Sequence, residues 1–237
     1  MRPIGFSTGA LALSDYRQGL SQLRGKAIDS IELSALRFNE LRPLLETLPT
    51  LNLSAYTNIG LHAPSRFDAV QEIEIAELLR AHVNPNWPIV LHPDAIHDPS
   101  VWLEFGSQLA IENMDRRKPI GRTAEELSSI FELLPDATLC FDIGHARQCD
   151  TSMTEAYRVL HRFAHKLRWV HLSEVNTLSH HESLSYAAIW AFSEVVHLIP
   201  ESVPIILEAR ITADQMDAEI EKAKRALPLR ALSTLIA

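Results

Sequence analysis

TLCFDIGH, residues 138–145, is an apolar run that stops on a carboxylate, Asp142, with an imidazole, His145, three positions further on. A strand running out into a polar loop would read this way, and so would a strand that delivers a metal ligand. One instance decides nothing; recurrence does. Similar short runs occur as IGFSTGAL at the N-terminus, DSIELSAL (29–36), IGLHAP (59–64), PIVLHP (88–93), QLAIENM (108–114), RWVHLSEV (168–175) and PIILEAR (204–210). With the first that makes eight. They are continuous rather than alternating, as expected of strands covered on both faces of a parallel sheet.

Helical patterns lie between them. Apolar residues fall at helical spacing in DAVQEIEIAELLRAHV (68–83). Thr123 and Glu126 read as a capping box opening EELSSIFELL, and Ser152 and Glu155 as another opening EAYRVLHRFAHKL. SLSYAAIWAFSEVVHLI and TADQMDAEIEKAKRAL follow later strands. Eight alternating β and α units in 237 residues predict one (β/α)8 TIM barrel spanning residues 1–237 as a single domain. A doubly wound open sheet, the other α/β solution, does not naturally supply eight similar units.

Composition narrows the function. The chain is 46% hydrophobic and carries a net charge of −8, which argues against duplex DNA as a partner and for a small molecule. Cys140 and Cys149 are its only cysteines, too few for a disulfide framework. With no signal-like layout in MRPIGFSTGA and no membrane-length apolar run, the expectation is a soluble cytoplasmic protein.

Each run from the second on carries one metal-capable residue near its C-terminal end: Glu32, His62, His92, Glu112, Asp142, His171 and Glu208, at intervals of 30, 30, 20, 30, 29 and 37 residues. In a TIM barrel those ends form one mouth. The residues two before each ligand, Ser30, Gly60, Val90, Ala110, Cys140, Trp169 and Ile206, then also face inward; all suit a tight interior except Trp169. Imidazoles and carboxylates suit zinc or manganese, and a buried cluster of them is costly without a cation. Glu32 is open between orienting a ligand and meeting a substrate hydroxyl. Arg116, Arg117 and Lys118, just past the fifth strand, are open between holding an anionic group and forming a solvated loop. His161 and His165 are four apart but fall on the outer ring; with His82, His97 and His197 they read as helix or loop residues.

The fragments LHAP, LHP, IEN, FDIGH, VHL, HHESL and ILE, in this order and spacing, resemble the xylose-isomerase-like TIM barrels, which include endonuclease IV and many sugar isomerases and epimerases. The endonuclease IV resemblance implies three metal ions. His62, His92 and Glu112 would bind one; Glu112 would bridge to a second held by Asp142, His171 and Glu208; His145 and His181 would hold a third. Where that motif has an aspartate this chain has Ser179, with His180 beside it as a substitute. Ser65 replaces a tyrosine, and SLSYAAI lacks the glycine–glutamate–glycine pattern. These departures point away from an abasic-DNA endonuclease. The isomerase resemblance implies one metal on Glu112, Asp142, His171 and Glu208, with Glu112 and Glu208 moving a proton and His145 binding substrate; its usual arginine after the seventh strand is absent, where Asn176 and Thr177 stand.

Three expectations result. The first is a multi-metal hydrolase of a phosphoester in a small or sugar-phosphate-like substrate, with zinc or manganese. The alternatives are a one-metal sugar or sugar-phosphate isomerase or epimerase, and a non-catalytic ligand-binding barrel.

Overall fold

The computed structural model describes residues 2–13 and 15–229. Eight parallel strands close into a barrel: β1 (Ile4–Ser7), β2 (Ser30–Ser34), β3 (Asn58–His62), β4 (Ile89–Leu91), β5 (Leu109–Glu112), β6 (Thr138–Asp142), β7 (Leu167–Leu172) and β10 (Ile205–Leu207). They follow chain order around the ring, and β10 pairs with β1 to close it. β8 (Glu174–Val175) and β9 (His181–Glu182) form a separate antiparallel hairpin above the mouth, after β7. The repeating beat in the sequence is thus a (β/α)8 barrel.

The connections differ in make-up. α1 (Thr8–Ala12) and α2 (Tyr16–Leu23) fill the first, α3 (Phe38–Thr47) the second, and α4 (Ala69–His82) the third. α5 (Ala124–Leu133) follows β5, α6 (Ile143–Cys149) and α7 (Thr154–Phe163) follow β6, α8 (Tyr186–Ser193) precedes β10, and α9 (Met216–Ala226) follows it. Between β4 and β5 the chain runs as a 3-10 stretch, Pro99–Gln108, broken at Gly106 by a left-handed φ of 50°. This connection, with no long α-helix, accounts for the short interval from His92 to Glu112. It is pinned by Glu72 of α4, whose buried carboxylate accepts from the indole N–H of Trp102 (2.8 Å) and the backbone N–H groups of His97 and Asp98.

Two apolar layers hold the barrel. The larger lies between strands and helices, where Phe141, Leu139 and Ile111 pack against residues such as Leu127 and Leu160. Each full burial of this kind contributes roughly 1.5–3 kcal/mol. The smaller is the barrel interior: Val90, Ala110, Cys140, Trp169 and Ile206. Trp169, the misfit by size, fits for two reasons. A Cβ on Gly60 would lie 2.9 Å from its ring, so the glycine makes its space. Its indole N–H donates to Glu32 at 3.0 Å, so its polar atom is satisfied where no water reaches.

The expected caps are partly corrected. Thr123 does accept from the Glu126 N–H, but the Glu126 carboxylate turns to the Arg122 N–H instead of closing the box. At α7 no box forms: Met153 is the cap residue, in a left-handed conformation, and Asp150 accepts the Glu155 N–H. The aspartate reaches that orphan donor first. Among the described residues no helix is long and apolar enough to cross a membrane.

Candidate metal centre at the barrel mouth

The strand register sets the height of each ligand. His62, Glu112 and Asp142 are the last residues of β3, β5 and β6, while His92 and Glu208 come one residue after β4 and β10. β6 and β7 slip in register after Leu139, so that Cys140 pairs with Trp169 and Asp142 with His171. The irregularity skips Arg168 and brings the two ligands level.

The turn in DIGH performs two tasks. Asp142 caps α6, one oxygen accepting the His145 N–H at 2.7 Å. Its other oxygen, Oδ2, is buried with no hydrogen-bond partner. Gly144 is required because the chain passes close to β7: a Cβ there would lie 2.5 Å from the Ser173 carbonyl oxygen. Asn113 clamps the ends of β5 and β6, donating to the Asp142 carbonyl and accepting the Asp142 N–H, both at 2.8 Å. Its own carbonyl lies 2.9 Å from His145 Nδ1, which donates to it, leaving His145 Nε2 as the lone-pair nitrogen.

Glu112 stands at the middle. Its Oε2 lies 3.3 Å from His62 Nε2 and 3.1 Å from His92 Nε2. Its Oε1 lies 3.3 Å from His145 Nδ1 and 3.4 Å from His171 Nδ1. His171 Nδ1 is also 3.3 Å from Glu208 Oε2. Three ligand groups follow: His62, His92 and Glu112; Glu112, Asp142, His171 and Glu208; and Asp142, His145 and His181. Within each, the candidate ligand atoms lie within 4.8 Å of one another.

The donor set fits a divalent cation. His171 Nε2 donates to Glu32 Oε2 at 2.8 Å, which leaves Nδ1 with a lone pair. That nitrogen makes no hydrogen bond, though it faces two carboxylates. A lone pair aimed at carboxylate oxygens is repulsive unless a positive charge lies between them. His62 is arranged alike: Nδ1 donates to its own chain at the Ala63 carbonyl (2.7 Å), turning Nε2 to Glu112.

Without a cation, protons take that place. Burial raises the Glu208 carboxyl, reinforced by the Glu112, Glu32 and Asp142 carboxylates over the opposing His171, up to about 8. Burial likewise lifts Asp142 to about 6. Burial disfavours charge on His145 and His62, but Asp142 and Glu112 drive the first up to about 10, and Glu112 and Glu32 the second to about 9. Burial and the His145 charge push His181 down to about 3. Burial opposes ionisation of Glu112, yet the surrounding imidazoles, His171 first, hold it well below the carboxylate range.

The remaining predicted site residues divide. Glu32 is fully buried behind His171 and Trp169 and does not line the cavity; its one bonded oxygen accepts from both rings and fixes the orientation of His171. His180 is exposed and off the cavity, anchored through its backbone N–H to Asn176. Arg116 is also off the cavity, donating to the Thr177 carbonyl. Arg117 and Lys118 line it but are paired with Asp115 and Asp94. Ser179, with a left-handed φ of 56°, donates to Asp115 and so holds the hairpin turn. Sequence reading missed Asn113, although it belongs to the IEN fragment. It also missed Ser173, which lies 2.8 Å from His181 Nδ1, and Arg66 and Arg210, which line the cavity. The cavity over Glu112 and Glu208 has a volume of about 270 Å³.

No protein-family model matches the chain, and no curated protein matches it. Solved structures do share its fold. A protein from Anabaena variabilis described as a sugar phosphate isomerase/epimerase is 13% identical, with a TM-score of 0.57, covering 98% of this chain and 89% of its own. A 3-keto-D-glucoside 4-epimerase from E. coli is 12% identical, with a TM-score of 0.56, covering 95% and 99%. A D-psicose 3-epimerase is 13% identical, with a TM-score of 0.54, covering 96% and 97%. At 12–13% identity these structures show a shared barrel fold.

Proposed function

We propose that this chain is a divalent-metal-dependent isomerase or epimerase of a small sugar-like substrate. The observation that carries the reading is the four-residue set Glu112, Asp142, His171 and Glu208, whose two glutamates both border the cavity. β5 and β10 are three steps apart around the ring, so the glutamates face the cavity from different directions. Bound there, a divalent cation supplies Lewis acidity toward a carbonyl and the hydroxyl beside it. One glutamate carboxylate takes the proton from the carbon next to the carbonyl. The other returns a proton to the adjacent carbon for isomerisation, the hydroxyl proton passing to the former carbonyl oxygen, or to the opposite face of the same carbon for epimerisation. His145 and His181 border the same space and offer nitrogens to substrate hydroxyls. The fold shared with three sugar-acting proteins supports the choice of substrate class.

A second reading has its own observation. His62 and His92 gather on the far oxygen of Glu112, where a one-metal isomerase has no use for them. A bridged pair of cations suits hydrolysis of a phosphoester. Elemental mass spectrometry of the purified chain separates the two. One equivalent of manganese, cobalt or magnesium, with turnover on a ketose and aldose panel, supports the isomerase. Two or three equivalents of zinc, or of zinc and manganese, with turnover only on phosphoesters, supports the hydrolase and sinks the first reading.

A further inference from the structure

The basic run after β5 is already spoken for. Arg116 donates to the Thr177 carbonyl at 2.6 Å, Arg117 binds Asp115 and the Leu178 and Ser179 carbonyls, and Lys118 binds Asp94 at 2.7 Å. These residues fasten the β8–β9 hairpin and the β4 loop to the β5 loop. Arg66 and Arg210 differ. Both border the cavity, both are exposed, and neither guanidinium makes a hydrogen bond or ion pair among the described residues. They stand near a cluster of carboxylates yet neutralise none of it, so their charge is available to a ligand.

Ring order gives them a direction. Ligand-capable residues rise from β3, β4, β5, β6, β7 and β10. β1 and β2 lie together on the remaining arc, opposite β5. There the lining is uncharged, Ser7, Gly9 and Ala10 beside Leu13 and Leu36, so no carboxylate of the cluster stands between a substrate body reaching away from Glu112 and the two arginines. Arg66 follows β3 and Arg210 follows β10, one on each side of that arc. Two planar guanidiniums flanking one end of a cavity match a tetrahedral dianion, which offers oxygens to both.

We infer that Arg66 and Arg210 form the anion subsite of this cavity, and that the substrate carries a phosphate-type dianion at the end remote from Glu112. The inference rests on the metal-dependent isomerase reading for its substrate class, but its test does not require turnover.

The experiment is calorimetric titration of the metal-loaded full chain with inorganic phosphate, and separately with acetate as a carboxylate probe. Wild type is compared with Arg66→Gln, Arg210→Gln, Arg66→Lys and, as a control, Arg116→Gln. Each glutamine variant is expected to weaken phosphate about tenfold, the loss of one charge-assisted contact. Arg66→Lys should lie between, because it keeps the charge without the fork. Metal content should be unchanged throughout and Arg116→Gln should match wild type. Phosphate affinity that is equal in all variants overturns the inference, since the anion then sits on the metals alone. Metal loss accompanying weakened binding in both glutamine variants also overturns it, because the arginines then support the centre itself. If acetate binds as tightly as phosphate and responds as strongly, the dianion assignment falls. A silent sugar panel beside the expected phosphate losses removes the isomerase reading and leaves the subsite standing.

Discussion

Glu32→Gln tests how the centre is built, through a residue that touches no part of the cavity. One carboxylate oxygen accepts from His171 Nε2 at 2.8 Å and from Trp169 Nε1 at 3.0 Å, and all three side chains are buried. Glutamine has one accepting oxygen and one donating nitrogen. If its oxygen serves both rings, its N–H groups take the position of Glu32 Oε1, which has no partner in the structure. If its nitrogen faces His171, that ring must move its proton to Nδ1, the nitrogen that faces Glu112 and Glu208. In either case the negative charge that makes His171 a stronger base is gone. Loss of such a supporting partner costs about 10- to 100-fold in metal affinity, or about 1.4–2.7 kcal/mol. With two donors on one oxygen and no water access, the upper part of that range is expected. The assay is competition for zinc or manganese against a chromophoric chelator, with circular dichroism to show that the variant is folded. A folded variant whose affinity stays within about threefold of wild type would refute the orienting role of Glu32.

Three further outcomes are expected. His92→Ala should leave isomerisation within about threefold while lowering any second metal equivalent, because His92 lies only on the Glu112 oxygen remote from His171; loss of all sugar turnover would show that both metals are needed. In metal-free protein, Glu208 (about 8), His62 (about 9) and His145 (about 10) hold protons that the unfolded chain has released. The folded state therefore binds more protons between pH 6.5 and 9, and the melting temperature should fall across that window. His181 and His92 are lowered and act oppositely, but only below 6.5. Saturating metal displaces those protons and should abolish the fall; a metal-free melting temperature that rises with pH across the window contradicts the cluster as described. Finally, Glu72→Ala strands the buried Trp102 N–H and two backbone donors, costing about 3 kcal/mol, or roughly 6–12 °C in melting temperature for a domain of this size; a loss below about 1 kcal/mol by urea titration would show that water replaces the carboxylate.

The barrel was legible because parallel strands covered on both faces leave a continuous apolar signature, and the convergence of the candidate ligands was legible because each sits at the same end of such a run. His62, His92, Glu112, Asp142, His145, His171, His181 and Glu208 all come to one mouth. The sequence could not show which charged residues beside them were satisfied. Arg116, Arg117 and Lys118 look like an anion site because three cations stand in a row. Their partners, Thr177, Leu178, Ser179, Asp115 and Asp94, include residues about sixty positions away and several backbone carbonyls, which have no letter in a sequence. Arg66 and Arg210 stand alone in the chain and attract no attention until the barrel closes. Trp169 looked too large because its space comes from a glycine on another strand. Local patterning failed at the α7 cap for a related reason: the motif matched, but Asp150, two residues upstream of Ser152, took the donor.

Glu112 explains why one set of residues supports two chemistries. Its oxygens divide the surrounding imidazoles, Oε2 toward His62 and His92, Oε1 toward His145 and His171. On the proposed isomerase reading, Glu112, Asp142, His171 and Glu208 would hold a cation, and Glu112 and Glu208, which border the cavity, would form the proton-transfer pair. A second cation on the Oε2 side would draw Glu112 into a bridge between two positive charges, lowering its basicity further and weakening it as a proton acceptor. The two readings therefore compete for one carboxylate. On these two readings, occupancy of the His62–His92 position, rather than presence of the Asp142–His171 position, would separate proton transfer from hydrolysis. That is why metal count and His92→Ala discriminate where mutation of Glu112 itself would not: removing Glu112 disables both.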